Sequence, residues 1–250
     1  MKSNFFSSPF ATIAPYYDKL MSFVNYPSWV AYIEKILLLS NIPDKIVFDL
    51  ACGTGVCLEL WSQKGYQVIG LDRSIDMLQV SKERLLKSDN ALLINGDMRD
   101  FRLARPMPVI TCLYDSLNYM LTEAELLSCY RCIYDALSDK GVFIFDMNTI
   151  HSLRDEWGSK TFERHEEGLL SVWSNTFNPN NNVSSLSITL RVRRNGQEVV
   201  LREQHQERGY SLPVIEQLLI QAGFAASLYR HLTFVPAAEH DLRIMGVARK

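Results

Sequence analysis

The stretch Val47-Phe48-Asp49-Leu50-Ala51-Cys52-Gly53-Thr54-Gly55 decides the fold. Ile46, Val47 and Phe48 form an apolar run of the kind buried in a parallel strand. The run closes on an acid, Asp49, and the small residues 51–55 lead into a helix-like segment. Glycines at a strand-to-helix turn let the backbone come against a ligand with no Cβ in the way. The acid sets this loop apart. Bare amides at a helix N-terminus attract anions, and a carboxylate beside them would repel a pyrophosphate. It suits a ligand that carries a cationic group.

Working outward, strands are expected at 45–50, Gln67–Asp72, Ala91–Gly96, Val109–Leu113 and Val142–Asp146. Helical spacing links Trp29, Ile33, Ile36 and Leu37, with Pro43 ending that helix. Ser74 reads as an N-cap with Asp76 in the first turn, and Thr122-Glu123-Ala124-Glu125 as a capping box. Gly65-Tyr66, Gly141-Val142 and Gly223-Phe224 each mark a change from helix to strand, read as left-handed glycine caps. Strands alternating with helices make an α/β fold, a Rossmann-like, mostly parallel sheet with helices on both faces. Residues 9–25 read as irregular.

Residues 149–211 break the rhythm. Leu186, Ile188, Leu190 and Val192 alternate with polar residues, Asn195-Gly196 signals a tight hairpin, and Leu169–Phe177 is a further strand. An antiparallel β insertion of three or four strands is expected there, as acceptor lid, dimer contact or both. Residues 1–148 and 212–250 form the remaining domain, with a helix around Ile215–Ala222 and strands at about 225–234 and 242–249.

The 250 residues carry a formal charge of −2 with both signs dispersed, so the electrostatic footprint of a nucleic-acid partner is missing. No apolar run is long enough to span a bilayer, and the polar N-terminus does not read as a signal peptide, which points to the cytoplasm. Five cysteines without framework spacing fit a reducing compartment. Cys129 and Cys132 fall within a helical pattern with no second ligand pair, so no metal site is expected.

Further acids fall at the ends of strands. Asp72 closes the second strand, where a carboxylate can accept both hydroxyls of a ribose. Gly96-Asp97-Met98-Arg99-Asp100-Phe101 follows the third strand, with Asp97 suited to an exocyclic amine and Met98 to a purine face. Leu113-Tyr114-Asp115-Ser116-Leu117-Asn118-Tyr119 follows the fourth. A nicotinamide-binding turn requires a small third residue where Leu58 stands.

Asp-Leu-Ala-Cys-Gly-Thr-Gly, Gly-Leu-Asp-Arg-Ser and Gly-Asp-Met-Arg-Asp-Phe resemble the successive motifs of class I S-adenosylmethionine-dependent methyltransferases. The insertion after strand five is similar to that of bacterial sugar N,N-dimethyltransferases and glycine N-methyltransferase-like enzymes. The resemblance covers about residues 40–148 and implies a seven-stranded sheet with its last strand antiparallel. It also implies S-adenosyl-L-methionine as cofactor. Asp49, Ala51, Gly53 and Gly55 would bound its methionine moiety, Asp72 its ribose, and Asp97 and Met98 its adenine. Leu113 would supply backbone, and Tyr17 a cover. Ala51 stands where glycine is commoner, and Arg73 where an apolar residue flanks the adenine; its guanidinium would stack instead.

The activity so implied is methyl transfer to an N or O atom of a small-molecule acceptor. An RNA- or protein-directed methyltransferase, a binding protein without turnover and, more remotely, an NAD-dependent oxidoreductase are the alternatives. No base announces itself in the sequence. His205, Asp115 and Asn118 are the candidates for catalysis, with His151 behind them, and Tyr16, Trp173 and Tyr210 are candidates to line an acceptor pocket. A homodimer through the insertion is left open.

Overall fold

The computed structural model describes residues 9–166, 168–194 and 196–250. In chain order the elements are α1 (Tyr17–Leu20), α2 (Tyr26–Leu39), β1 (Ile46–Leu50), α3 (Val56–Gln63), β2 (Gln67–Asp72), α4 (Ile75–Arg84) and β3 (Ala91–Asn95). There follow β4 (Met107–Cys112), α5 (Glu123–Ala136), β5 (Leu137–Asn148), β6 (Thr161–Glu166), β7 (Leu169–Asn178), β8 (Val183–Arg194) and β9 (Gln197–Arg208). The chain returns through α6 (Leu212–Ala222), β10 (Ala225–Arg230) and β11 (Arg243–Arg249).

The main sheet has seven strands in the order β10-β11-β5-β4-β1-β2-β3. Strands β1 to β5 pair in parallel, and β11 runs antiparallel to both of its neighbours. Alternation along β1 sends Phe48 and Leu50 to a core under α5 and α6, and Val47 to a core under α2 and α3. The helix caps follow the sequence. Ser74 Oγ accepts from Met77 N at 3.2 Å, and Thr122 and Glu125 close a reciprocal capping box.

Inserted after β5 is a four-stranded antiparallel sheet, β6-β7-β8-β9. Leu186, Ile188, Leu190 and Val192 of β8 face Ile13, Leu20 and Met21 of the N-terminal segment, forming a third core. Strand β6 is exposed along most of its length and carries no hydrophobic alternation, which is why the sequence does not announce it.

Several expectations are corrected. Gly141 is not a helix cap: α5 passes directly into β5 at Leu137, whereas Gly65 and Gly223 do take the left-handed conformation. The penultimate strand stops at Arg230, and residues 231–242 form a loop. Residues 14–20 are helical turns rather than irregular chain. Asn195 of the expected hairpin turn lies outside the described residues.

Candidate active site

The carboxyl ends of β1, β2, β3 and β4 open together, as parallel pairing requires, and a cavity of about 560 Å³ lies over them. Tyr17, Asp49, Ala51, Gly53, Asp72, Arg73, Asp97, Met98 and Leu113 all line it. Residues scattered over almost a hundred positions of chain thus converge on one site. Gly55 does not face the cavity. Its φ of +78° starts α3, and a Cβ there would sit 2.3 Å from Ser81 Oγ, so the glycine lets α3 and α4 meet. Gly53 has a φ of +55° and nothing within 4 Å of its missing Cβ, which leaves the loop backbone open to a ligand. Ala51 adopts a φ of +53°, a conformation that costs a non-glycine residue about 1 kcal/mol.

The acids differ in their surroundings. Asp49 is buried, with one hydrogen bond from Thr111 Oγ1 at 2.6 Å and no basic partner among the described residues, and burial pushes its carboxyl up to about 7. Nearby Asp72 raises it further. Asp72 accepts Gly53 N and Ser74 N, each at 2.8 Å, so it braces the glycine loop while facing the cavity. Burial raises its carboxyl too, against those two bonds. Asp97 is gripped by the Arg99 guanidinium at 2.6 Å, which holds it below the usual carboxylate range.

A cationic head suits this arrangement. Asp49 is a buried acceptor lacking a positive partner, and a ligand ammonium would supply one. A pyrophosphate would meet two carboxylates instead. Among the described residues no cluster of metal-ligating side chains occurs, and all five cysteines are free.

The N-terminal segment forms the roof. Arg84 of α4 pairs with Asp18 and with Glu59 at 2.8 Å, its Nε donates to Thr54 O, and Thr54 Oγ1 donates to Asp18 at 2.6 Å. This network fixes α1, and with it Tyr17, beside the glycine loop. Farther up, Ser74 Oγ donates to Phe10 O at 2.9 Å.

On the acceptor side, Tyr114 and Asp115 both take positive φ, 59° and 53°. The Asp146 carboxylate at the end of β5 holds this kink by accepting Tyr114 N at 2.5 Å and Asp115 N at 3.0 Å. Arg243, delivered by β11, pairs with Asp146 and with Asp115 at 2.7 Å. Glu207 completes an acidic floor: Asn148 Nδ2 donates to it at 3.0 Å, while burial and the neighbouring Asp115 push its carboxyl well up. Asp115 and Glu207 both line the cavity.

His205 lines it as well, yet both its ring nitrogens are occupied, Nδ1 by Tyr119 Oη at 3.0 Å and Nε2 by Glu203 at 3.1 Å. Asn118 does not line the cavity: it is fully buried, donates to Asn148 O and Arg208 O, and accepts Asn148 N, so it ties β5 to β9. His151 pairs with Asp155 away from the cavity. Trp173 lines the cavity. Tyr16 instead accepts from Arg194 Nε, and Tyr210 donates to Met120 O.

The residues that sequence reasoning missed are Tyr119, Glu203, Glu207 and Arg243. One signal was there. Glu203, His205 and Glu207 alternate along β9, and all three point inward, with exposures of 0%, 2% and 6%. A strand whose inner face is polar lines a site rather than a core.

The methyltransferase-domain family pattern matches residues 47–141. A crystal structure of an S-adenosylmethionine-dependent methyltransferase from Clostridium acetobutylicum aligns with a TM-score of 0.86 at 26% identity, covering 95% of this chain and 97% of that one. A candidate methyltransferase of Bacillus subtilis, YqeM, is 28% identical over 84% of each chain. The dTDP-3-amino-3,4,6-trideoxy-alpha-D-glucopyranose N,N-dimethyltransferase of Streptomyces venezuelae is 34% identical over 44% of this chain and 46% of its own. Motifs, sheet order and relatives agree: the chain belongs to the class I S-adenosylmethionine-dependent methyltransferases, related to the sugar N,N-dimethyltransferases and other small-molecule methyltransferases.

Proposed function

We propose that this methyltransferase moves the methyl group to an N or O atom of a small molecule held between the β4 loop and the inserted sheet. The observation that carries the reading is the roofed cavity, which runs from the glycine loop to the acidic floor under β8 and β9. A cavity of that size suits a small ligand, and its roof leaves little access for a polymer. Residues 149–211 then serve as the acceptor-side lid.

The bound cofactor supplies a methyl group made electrophilic by a sulfonium. The protein's part is to align it and keep water out. Asp49 faces the ammonium of the methionine moiety, with Gly53 and Ala51 offering backbone. Asp72 receives the ribose hydroxyls, Asp97 and Met98 hold the adenine edge and face, and Arg73 covers the ring. Leu113 contributes backbone beside the methionyl chain, and Tyr17 closes the roof.

Within the acceptor class, an amine is favoured over a hydroxyl. Asp115, ion-paired with Arg243, and Glu207, whose carboxyl burial pushes well up, both face the cavity and can accept hydrogens from the N–H groups of a neutral amine. The named activity of the Streptomyces relative, dimethylation of an amino sugar, lies in the same direction.

The test is calorimetry with S-adenosylmethionine and S-adenosylhomocysteine, followed by turnover across amines, hydroxyls and RNA, read as release of S-adenosylhomocysteine. Turnover confined to small amines supports the proposal. Turnover on RNA alone, or cofactor binding with no turnover on any acceptor class, would overturn it.

A further inference from the structure

The hydrogen bonds around His205 run in one line across the roof of the cavity. Glu203, fully buried on β9, accepts from His205 Nε2 at 3.1 Å. A carboxylate cannot donate, so Nε2 carries a hydrogen, and in the neutral ring Nδ1 is then the acceptor. To that neutral ring Tyr119 Oη, 3.0 Å from Nδ1, donates its own hydrogen, and among the described residues no other hydrogen bond to this hydroxyl occurs. Tyr119 lines the cavity beside Asp115, on the acceptor side. Packing protects the line: the Phe10 ring lies with its centroid 4.7 Å from the His205 ring and 5.4 Å from the Tyr119 ring.

We propose that Tyr119 is a catalytic residue, the group that takes the acceptor's proton while handing its own to His205, with Glu203 as the positioning residue behind them. As the acceptor heteroatom forms its bond to the methyl carbon, the carbon–sulfur bond would break with its electron pair passing to sulfur, which leaves as the neutral thioether, and the acceptor's hydrogen moves to Tyr119 Oη. The Tyr119 hydrogen moves to His205 Nδ1, and the resulting imidazolium rests against the Glu203 carboxylate. No net charge appears on the tyrosine, which suits a phenol whose burial opposes ionisation. The proton then leaves to solvent once the roof opens.

The roof and this line share one anchor. Besides His205, the Glu203 carboxylate accepts Phe10 N at 2.7 Å, Thr12 N at 2.6 Å, Thr12 Oγ1 at 2.9 Å and Ile13 N at 3.0 Å. Seating the N-terminal segment over the cavity and orienting the imidazole are thus one event. Proton transfer is available when the site is closed to water.

The assignment is tested without an acceptor by long-range proton–nitrogen NMR of the S-adenosylhomocysteine complex at about pH 7. The expected spectrum has His205 protonated on Nε2 alone. In Tyr119→Phe the Nδ1 resonance moves toward that of an unbonded imidazole nitrogen, while S-adenosylhomocysteine affinity changes by less than about threefold. A His205 already protonated on both nitrogens, or protonated on Nδ1, refutes the proposal, because Nδ1 then has no room for a proton. So does an Nδ1 signal unmoved by Tyr119→Phe. With an acceptor that turns over, Tyr119→Phe lowers kcat about a hundredfold or more, with the KM for S-adenosylmethionine unchanged and the solvent isotope effect lost. An unchanged kcat refutes it as well. The NMR result does not depend on which acceptor is methylated, so failure here is separable from failure of the acceptor assignment.

Discussion

Cofactor affinity should depend on pH chiefly through Asp49, with the raised carboxyl of Asp72 beside it. Burial, with no basic partner among the described residues, holds the Asp49 carboxyl at about 7 before a ligand ammonium arrives. A bound ammonium favours the ionised form, so binding drives the group back toward its ordinary 3.8 and releases a proton below neutrality. The sign follows: affinity is full above about pH 8 and falls as the site protonates. From those two values, the loss is about tenfold at about pH 6 and approaches a hundredfold at about pH 5, close to 2.7 kcal/mol. Asp97, held down by Arg99, titrates below this window. Titration calorimetry with S-adenosylhomocysteine, in buffers of differing ionisation heat, measures both the affinity and the proton released. Asp49→Asn should flatten the profile and weaken binding at about pH 8 by about ten- to a hundredfold, the value of a charge-assisted contact. A flat profile in the wild type, or an unchanged slope in Asp49→Asn, would refute the reasoning.

Three further outcomes are expected. Arg243→Met leaves Asp115 and Asp146 without their shared cation and should lower unfolding free energy by about 3–5 kcal/mol in urea titration. Glu203→Gln weakens the anchor of the N-terminal segment. Limited proteolysis should then cut near residues 10–13 while the sheet core resists, and the same release should occur in the wild type as acid protonates Glu203. That carboxyl is held below its ordinary 4.5 by His205 and the segment's N–H groups against its own burial, so its stabilisation is present above about 4.5 and lost as pH falls past the depressed value. Gly55→Ala sets a Cβ 2.3 Å from Ser81 Oγ at a φ of +78° and should destabilise by about 2–3 kcal/mol. Adding Ser81→Ala removes the 2.3 Å contact but leaves Ser81 Cβ at 3.1 Å, so it should recover part of the loss and leave at least about 1 kcal/mol of backbone strain, as read by chemical denaturation.

The cofactor half was legible because its residues sit at strand ends, where local sequence dictates position. Val47–Gly55, Gln67–Asp72 and Gly96–Met98 could each be read alone, and parallel pairing then brought them together. The acceptor half was less so, because apart from the polar alternation along β9 its groups reach the cavity through long-range contacts. Arg243 meets Asp115 across 128 positions, and Glu203 meets Phe10 across 193. Asn118 shows the converse. An amide following a strand looks free in sequence, and only β9 reveals that it is bound to backbone on two sides. Strand β6 escaped for a different reason, since an exposed edge strand buries too little to impose alternation.

The acceptor pocket is thus joined by a few ties between distant stretches, while the strands beneath it are zipped to near neighbours. Pairing of β1 with β2 and of β2 with β3 closes short loops, and the ties, which span far longer stretches, must wait until the framework stands. The same ties are the cheapest to undo, since a few side-chain bonds and a small core against β8 secure them rather than a full strand ladder. On gentle warming this protein would therefore forget its acceptor well before its sheet comes apart, and loss of catalysis would register a local loosening that a circular dichroism trace passes over.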